Sequence, residues 1–387
     1  MQVDYKDPWQ LPFTRRLADL RAGTRHVAYY YDVPDNSTFR YRCYNMVQAL
    51  SAMPELAIGA SWFAAADLAH MDLFLAAADV LVICRVRYDT RVAGLIARAR
   101  AHGTRVVYDI DDLVFDAKYV HLVMDTLDID LDRENEWNHW FAYIGRLGAT
   151  LRMCDAAIGT NLFLAKRLEA FSGLPVGIVP NFFNREQWDI SERIHKSKTV
   201  RGRERDDVRI LGYFSGSPSH NRDFELISGP VARLLDDDPL LQVRLVGYLD
   251  LKGPLSRHLD RVEFVPFQDF VNLQRLIGDV DVNLVPLQDN IFTNCKSELK
   301  YFEAALVDTV TIATPTYTFH DAIKHGETGW LCAAQDWEHL LRSVMSEPEL
   351  RRDVAARARI HAGQRYSWTE QAICIQRAIF HETNKTG

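Results

Sequence analysis

The sequence predicts an α/β protein built as two parallel-sheet units facing a central cleft. Three observations carry this. Short apolar runs alternate with helical stretches over residues 26–312, the pattern of parallel sheets wrapped by helices. The alternation breaks once, over the charged stretch 191–207, which has no apolar period. The chain has 387 residues, more than one core comfortably holds, so two domains are expected.

In the first unit the strands fall at 26–31, 80–83, 105–108, 156–159 and 177–179. Residues 40–53 read as a helix stopped by Pro54, and the helix after the second strand is ended by Gly103. The aromatic stretch 137–151 reads as a core helix, with a membrane-facing helix as the alternative. Residues 1–24, with Trp9, Leu11 and Phe13 beside Arg15 and Arg16, read as an arm packed on the body or as an interfacial membrane contact. Residues 191–207 read as a solvated interdomain linker. In the second unit strands fall at 208–211, 243–246, 262–265, 282–285 and 310–312, with helices near 222–235, 268–278, 297–307 and 336–346. Domains at 1–190 and 208–368 follow, both Rossmann-like. The amphipathic stretch from 369 onward is the candidate to cross back onto the first domain.

Hydrophobic residues make up 48% and charged residues 25% of the chain, an ordinary globular balance. A net charge of -7 argues against a general nucleic-acid binder. No stretch approaches the ~20 apolar residues of a membrane span, and the N-terminus does not read as a signal peptide. The six cysteines show no CxxC and no zinc spacing. They are expected to be reduced and mostly buried, in a cytoplasmic protein.

The chemistry concentrates after the strand at 282–285. Asn294, Lys296, Ser297, Lys300 and Glu303 follow it in a predicted helix, with Lys296, Lys300 and Glu303 spaced by four and three on one face. A helix N-terminus with lysines suits phosphate. A carboxylate one turn on accepts hydrogen bonds from sugar hydroxyls. Phosphate beside ribose is what a nucleotide-sugar site needs. The same spacing also suits a surface Lys300–Glu303 salt bridge of about 0.3 kcal/mol. The loop Ser215-Gly216-Ser217-Pro218-Ser219-His220-Asn221-Arg222 sits between a strand and a helix. Its small residues let backbone N–H groups approach a phosphate, or it is a plain turn capped by Ser219 or Asn221. Asp109, Asp111 and Asp112 follow the strand at 105–108. They suit a metal ion on paired carboxylates or helix capping. After the first strand come Asp32, Asn36, Ser37, Thr38, Arg40 and Arg42. Arg40 suits a phosphate, which a guanidinium binds bidentately, and Arg42 suits a carboxylate partner equally well.

Several stretches resemble, in order, the retaining GT-B glycosyltransferases of family four, particularly the O-antigen and capsule type. Asn294-x-Lys296-Ser297-x-x-Lys300-x-x-Glu303-Ala304 resembles the family's donor helix, and His325-Gly326-Glu327-Thr328-Gly329-Trp330-Leu331 its following turn. Gly212-Tyr213-Phe214-Ser215-Gly216-Ser217 resembles the first strand and loop of its C-terminal domain, and Ile178-Val179-Pro180-Asn181 the end of its N-terminal domain. The resemblance runs over residues 25–378. It implies transfer of a sugar from a nucleotide diphosphate sugar to a glycan or lipid-linked glycan acceptor, without a metal or other cofactor. It implies surface-polysaccharide synthesis at a cytoplasmic location, with peripheral membrane contact as an option. Ser215, Gly216, Ser217, His220, Phe267, Asn294, Ser297, Lys300 and Glu303 would bind the donor. Lys296, Arg222 and Asp111 would act in catalysis. Asp32, Asn36, Ser37, Arg40, Asp109 and Asp112 would line the acceptor and sugar side. An inverting outcome would need a base, for which Asp111 or Asp32 would serve. Two departures stand out: Cys295 occupies the place of a family glutamate, and Gly216 and Asn221 replace a basic pair, leaving Lys296 and Arg222 to supply the charge. Cys295 motivates a rival reading as a catalytically silent sugar-nucleotide binder, and Asp109 with Asp111 a metal-dependent GT-A transferase.

Overall fold

The computed structural model describes residues 3–201, 209–216, 221–249 and 253–380. Two six-stranded sheets, parallel throughout, form its two units. The first holds β1 (Arg25–Tyr31), β2 (Ile58–Ala64), β3 (Val80–Cys84), β4 (Arg105–Asp109), β5 (Ala156–Gly159) and β6 (Val176–Ile178) in the order β2-β1-β3-β4-β5-β6. The second holds β7 (Arg209–Ser215), β8 (Leu241–Gly247), β9 (Val262–Val265), β10 (Val282–Val285), β11 (Val310–Ala313) and β12 (Trp330–Leu331) in the order β12-β11-β10-β7-β8-β9. Strand order therefore reverses between β1 and β3 in one sheet and between β7 and β10 in the other. Crevices at the carboxyl ends of strands open at such switch points.

Two strands escape the sequence pattern. β2 reads Ile-Gly-Ala-Ser-Trp-Phe-Ala and is buried at every position; its small residues dilute the apolar run that marks a buried strand. β12 is two residues long, inside the turn that opens at His325.

The charged stretch expected as a loop is largely helical. Arg185–Arg201 forms one helix, and residues 202–207 lie outside the described residues. Its charges are absorbed by the second domain. Lys198 donates to the carbonyls of Val307 and Asp308 (2.6 and 3.2 Å), the His195 ring meets Asp308 (2.5 Å), and Glu192 pairs with Arg359. Ile194 packs on the cluster of Ile277 and Val307, but ion pairs and hydrogen bonds hold the rest of this face, so a helical apolar period does not show.

The N-terminal arm packs on both domains. Trp9 lies against Phe39 and Tyr44 of the first and Phe270 of the second (5.5, 5.4 and 6.3 Å between centroids). Arg16 forks onto Asp67 at 2.7 and 2.8 Å. The chain also crosses back at its far end. The helix Ala372–Phe380 packs on β6 so closely that a Cβ at Gly177 would meet Ala378 at 2.7 Å. One hydrophobic cluster runs from Val27, Tyr29 and Val107 through Phe182 and Phe183 to Leu287, Phe302 and Ile379. The two sheets thus share a core. The aromatic helix, Glu134–Arg152, buries Ile144, Leu147 and Leu151 and leaves Phe141 exposed. Among the described residues no helix is long and apolar enough to cross a membrane.

Candidate active site between the two sheets

A cleft of about 480 Å³ opens where the two switch points meet. From the second domain Ser215 and Gly216 at the end of β7, Leu287 beyond β10, Phe267, Lys296, Ser297, Lys300 and Glu303 line it. From the first come Asn36, Ser37 and Thr38 after β1, Arg40, Tyr41, Arg85 after β3, Asp111 and Asp112 after β4, and Trp140 and Tyr143. Gly247 secures the Ser215 backbone: its φ is 96°, and a Cβ there would lie 1.9 Å from the Ser215 carbonyl oxygen.

The predicted donor helix is broken. Asn290 caps a short helix, Ile291–Asn294, through the N–H groups of Phe292 and Thr293 (2.9 and 3.0 Å). The next helix is Leu299–Ala305. Lys296 lies in the turn between them, so helical spacing does not align it with Lys300 and Glu303. The turn is held by Thr318, whose hydroxyl donates to the Lys296 carbonyl (2.9 Å), and by Ser297, whose hydroxyl accepts from the Leu299 N–H (3.3 Å) and from Asn181 (3.1 Å). The Lys296 ammonium stands 3.8 Å from Asp112 of the opposite domain and 4.5 Å over the Phe292 ring.

Lys300 is half-buried, 5.2 Å over the Tyr213 ring. Among the described residues its ammonium has no hydrogen bond or ion pair. Burial, joined by the charge of Lys296, lowers its pKa to about 8 against the pull of Asp223 and Glu303. A desolvated cation without a partner is suited to an anionic ligand. Glu303 is 4% exposed, and its Oε1 accepts from Tyr41 (2.5 Å), Arg40 (3.3 Å) and Gln187 (3.3 Å).

On the opposite wall Arg85 adopts φ 47°, a left-handed conformation that costs a non-glycine residue of order 1 kcal/mol or more. Its guanidinium joins Asp111 (3.0 Å), Asp112 (3.4 Å) and the Thr38 hydroxyl (3.4 Å). Asp111 is thus tied by Arg85 and, through its other oxygen, by Thr38 at 3.3 Å. Asn36 and Ser37 reach the cleft, held by Tyr5 (2.8 Å) and Asp35 (2.9 Å). Phe267 is half-exposed and stacks on Tyr248 at 6.1 Å.

Other expected site residues lie elsewhere. Asp109 is 1% exposed and forks onto Arg42 at 2.7 and 2.9 Å. β4 ends at Asp109, so strand alternation does not carry it onto the face of Asp111, and the two carboxylates do not converge. Arg222 is clamped by Asp125 (2.5 Å) and Asp128 (3.0 Å) outside the cleft lining. Asn294 is spent locally, donating to Asp289 (2.7 Å) and accepting from the Tyr317 N–H (2.6 Å). Asp32 does not line the cleft; burial raises its pKa while Arg91 and Arg87 oppose. Arg40 spends its donors on the Asn36 carbonyl, Gln187 and Glu303, between the rings of Tyr41 and Phe270 (4.0 and 4.7 Å). Ser217 and His220 lie outside the described residues. Cys295 is buried in the cluster of the first domain, where burial pushes its thiol up to about 12. Its carbonyl accepts from Asn161 at 3.0 Å. The position that bears a glutamate in the resembling family is therefore part of the interdomain packing here.

Sequence reasoning missed Tyr41, Arg85, Asn181 and Gln187 as site residues, and read the helix bearing Trp140 and Tyr143 as core. The π-helical turn Arg40–Tyr44 is one reason. Such turns widen the helix locally and recur at functional sites. In this one Arg40 and Tyr41 meet Glu303, while Arg42 turns into the first domain.

Residues 209–346 match the family described as Glycosyl transferases group 1. Curated proteins give no match. Among solved structures the chain is similar to the Anabaena protein HepE in complex with UDP and glucose, with TM-score 0.60 and 13% identity over 92% of this chain and 99% of that one. It is similar to sucrose-phosphate synthase from Thermosynechococcus elongatus, with TM-score 0.57 and 15% identity over 92% and 98%. It is also similar to TarM of S. aureus, with TM-score 0.52 and 12% identity over 81% and 58%. The fold is GT-B, two Rossmann-like domains about one cleft. The chain carries a Glycosyl transferases group 1 domain on that fold and is an enzyme of the glycosyltransferase class.

The buried Arg42–Asp109 pair gives a test of what holds the cleft wall. Arg42→Met leaves the Asp109 carboxyl buried without its partner, and should lower unfolding free energy by about 3–5 kcal/mol. Adding Asp109→Leu should recover part of that loss. Urea unfolding of the single and double variants checks both.

Proposed function

We propose that the enzyme transfers a sugar from a nucleoside diphosphate sugar to a glycan acceptor, with the diphosphate leaving toward Lys296 and Lys300. The observation that carries this is the convergence, at one switch point, of two ammonium groups, the Ser215–Gly216 backbone and the buried Glu303 carboxylate. Lysines aimed at a leaving diphosphate stabilise charge as it develops, which is usually a large catalytic term. Ser297 adds a hydroxyl, and Glu303 holds the ribose. The acceptor lies on the opposite wall, where Thr38, Arg85, Asp111 and Asp112 offer polar partners. Trp140 and Tyr143, at i and i+3 of one helix, offer flat apolar faces to a sugar ring. Asp111 is tied to Arg85 and Thr38, which suits binding a sugar hydroxyl better than acting as a strong base. That favours a retaining, front-face route. Resemblance to O-antigen and capsule enzymes supports a lipid-linked or polysaccharide acceptor in surface-polysaccharide synthesis, at a cytoplasmic site with peripheral membrane contact. The two lysines take the role that a divalent ion plays elsewhere, so the reaction is metal-independent. HepE, the Anabaena protein with the same fold, was solved with UDP and glucose, and UDP is the first nucleotide to test.

Isothermal titration with UDP, GDP, dTDP and CDP, with and without EDTA, should find one nucleotide bound equally well in both. Lys296→Ala should weaken it about tenfold or more. Binding of none overturns the proposal, and binding abolished by EDTA overturns metal independence.

Lys300 gives a pH test. Its ammonium deprotonates near pH 8, and a phosphate's own ionisation is complete well below that. UDP affinity should therefore fall by up to about tenfold as pH rises from about 7 to 9, and stay flat in Lys300→Arg. Once an assay exists, Trp140→Ala should raise the acceptor KM several-fold and leave UDP affinity unchanged.

A further inference from the structure

The carboxylate assigned to the donor ribose is ligated from the acceptor-side domain. Glu303 sits in the helix Leu299–Ala305 of the second domain, yet three groups from outside that domain's sheet converge on its Oε1. They are the Tyr41 hydroxyl at 2.5 Å, Arg40 Nη2 at 3.3 Å and Gln187 Nε2 at 3.3 Å. Tyr41 and Arg40 come from the π-helical turn of the first domain, and Gln187 from the connecting helix. Among the described residues none donates to Oε2.

The ligands are themselves fixed. Arg40 lies between the Tyr41 and Phe270 rings and also bonds the Asn36 carbonyl and Gln187. Gln187 donates to Gln274 at 3.1 Å, and Gln274 donates to the Glu303 carbonyl at 2.5 Å. The Tyr41 ring packs edge-on against Phe302 at 6.3 Å. An ionised carboxylate has about four acceptor sites on two oxygens. Loading Oε1 with three donors fixes the carboxylate plane and leaves Oε2 for a diol.

We infer that Tyr41, Arg40 and Gln187 are positioning residues for Glu303, so that the ribose half of the donor site is completed only when the two domains are together. This rests on the reading of Glu303 as the ribose-holding residue. It makes donor affinity depend on a side chain, Tyr41, that belongs to the acceptor-side domain. Opening the cleft strips Glu303 of its fixed geometry and weakens the hold on the nucleotide.

The test compares UDP with 2′,3′-dideoxy-UDP, which lacks the ribose diol, by titration on wild type, Glu303→Ala, Tyr41→Phe and Arg40→Lys, each checked by thermal unfolding. Wild type should prefer UDP, and Glu303→Ala should lose that preference. Tyr41→Phe keeps the ring and removes the hydrogen bond. It should weaken UDP about fivefold and leave dideoxy-UDP within about twofold. Arg40→Lys keeps the charge and loses the fork, and should show the same selective loss. An equal loss for both nucleotides marks a merely structural role and overturns the inference. So does unchanged UDP binding in both variants while Glu303→Ala loses the preference, although Glu303 then keeps its role. Wild type that binds neither, or does not distinguish them, overturns the role of Glu303 and the inference with it.

Discussion

A guanidinium sealed inside the first domain fixes the shape of the cleft. Taking a charge out of water costs several kcal/mol unless nearly every donor finds an acceptor. Arg42 meets that condition with both oxygens of Asp109, the carbonyls of Val179 and Pro180, and the side-chain oxygen of Asn181. It therefore locks together the helix after β1, the end of β4 and the segment after β6. The Asn181 amide passes the constraint on to Ser297 in the turn that presents Lys296. Arg40 and Tyr41 meet Glu303 from the same π-helical turn. Adjacent residues thus serve the interior of one domain and the cleft wall of the other.

The two sheets are less separate than a two-domain description implies. Phe292 and Cys295 belong to the second domain by sequence and to the core of the first by packing. Trp9, the arm around it, the clamp of Asp125 and Asp128 on Arg222, and the helix Arg185–Arg201 all cross the boundary. A cleft with this many ties has a preferred geometry. Binding energy from a donor that bridges both walls would reinforce that geometry.

Much of the fold was legible because a parallel sheet buried on both faces writes its strands as apolar runs. β7, β10 and β4 were readable for that reason. β2 was not, since glycine, alanine and serine dilute its run. The charged end of the Arg185–Arg201 helix was not either, since ion pairs of Glu192 and His195 and the Lys198 hydrogen bonds to backbone carbonyls hold a face on which Ile194 is too little apolar surface to show a period. In the site, residue types at strand ends were legible: Ser215, Gly216, Asp111, Lys296, Lys300 and Glu303 all line the cleft. Arg85 carried no signal, being one arginine among many until its backbone and partners are seen.

The sequence alone determined two doubly wound units, and that lysines, small hydroxyl residues and carboxylates stand at the strand ends where such units bind ligands. Period and composition are local, and they report local structure faithfully. The tertiary structure decided which charges are spent on the protein itself. Asp109 meets a partner 67 residues away, Arg222 one at 97, and Glu303 one at 263. Whether a charged side chain is a ligand group or a strut depends on what lies within a few ångströms of it, and for these residues that neighbour is set by the packing of the two sheets.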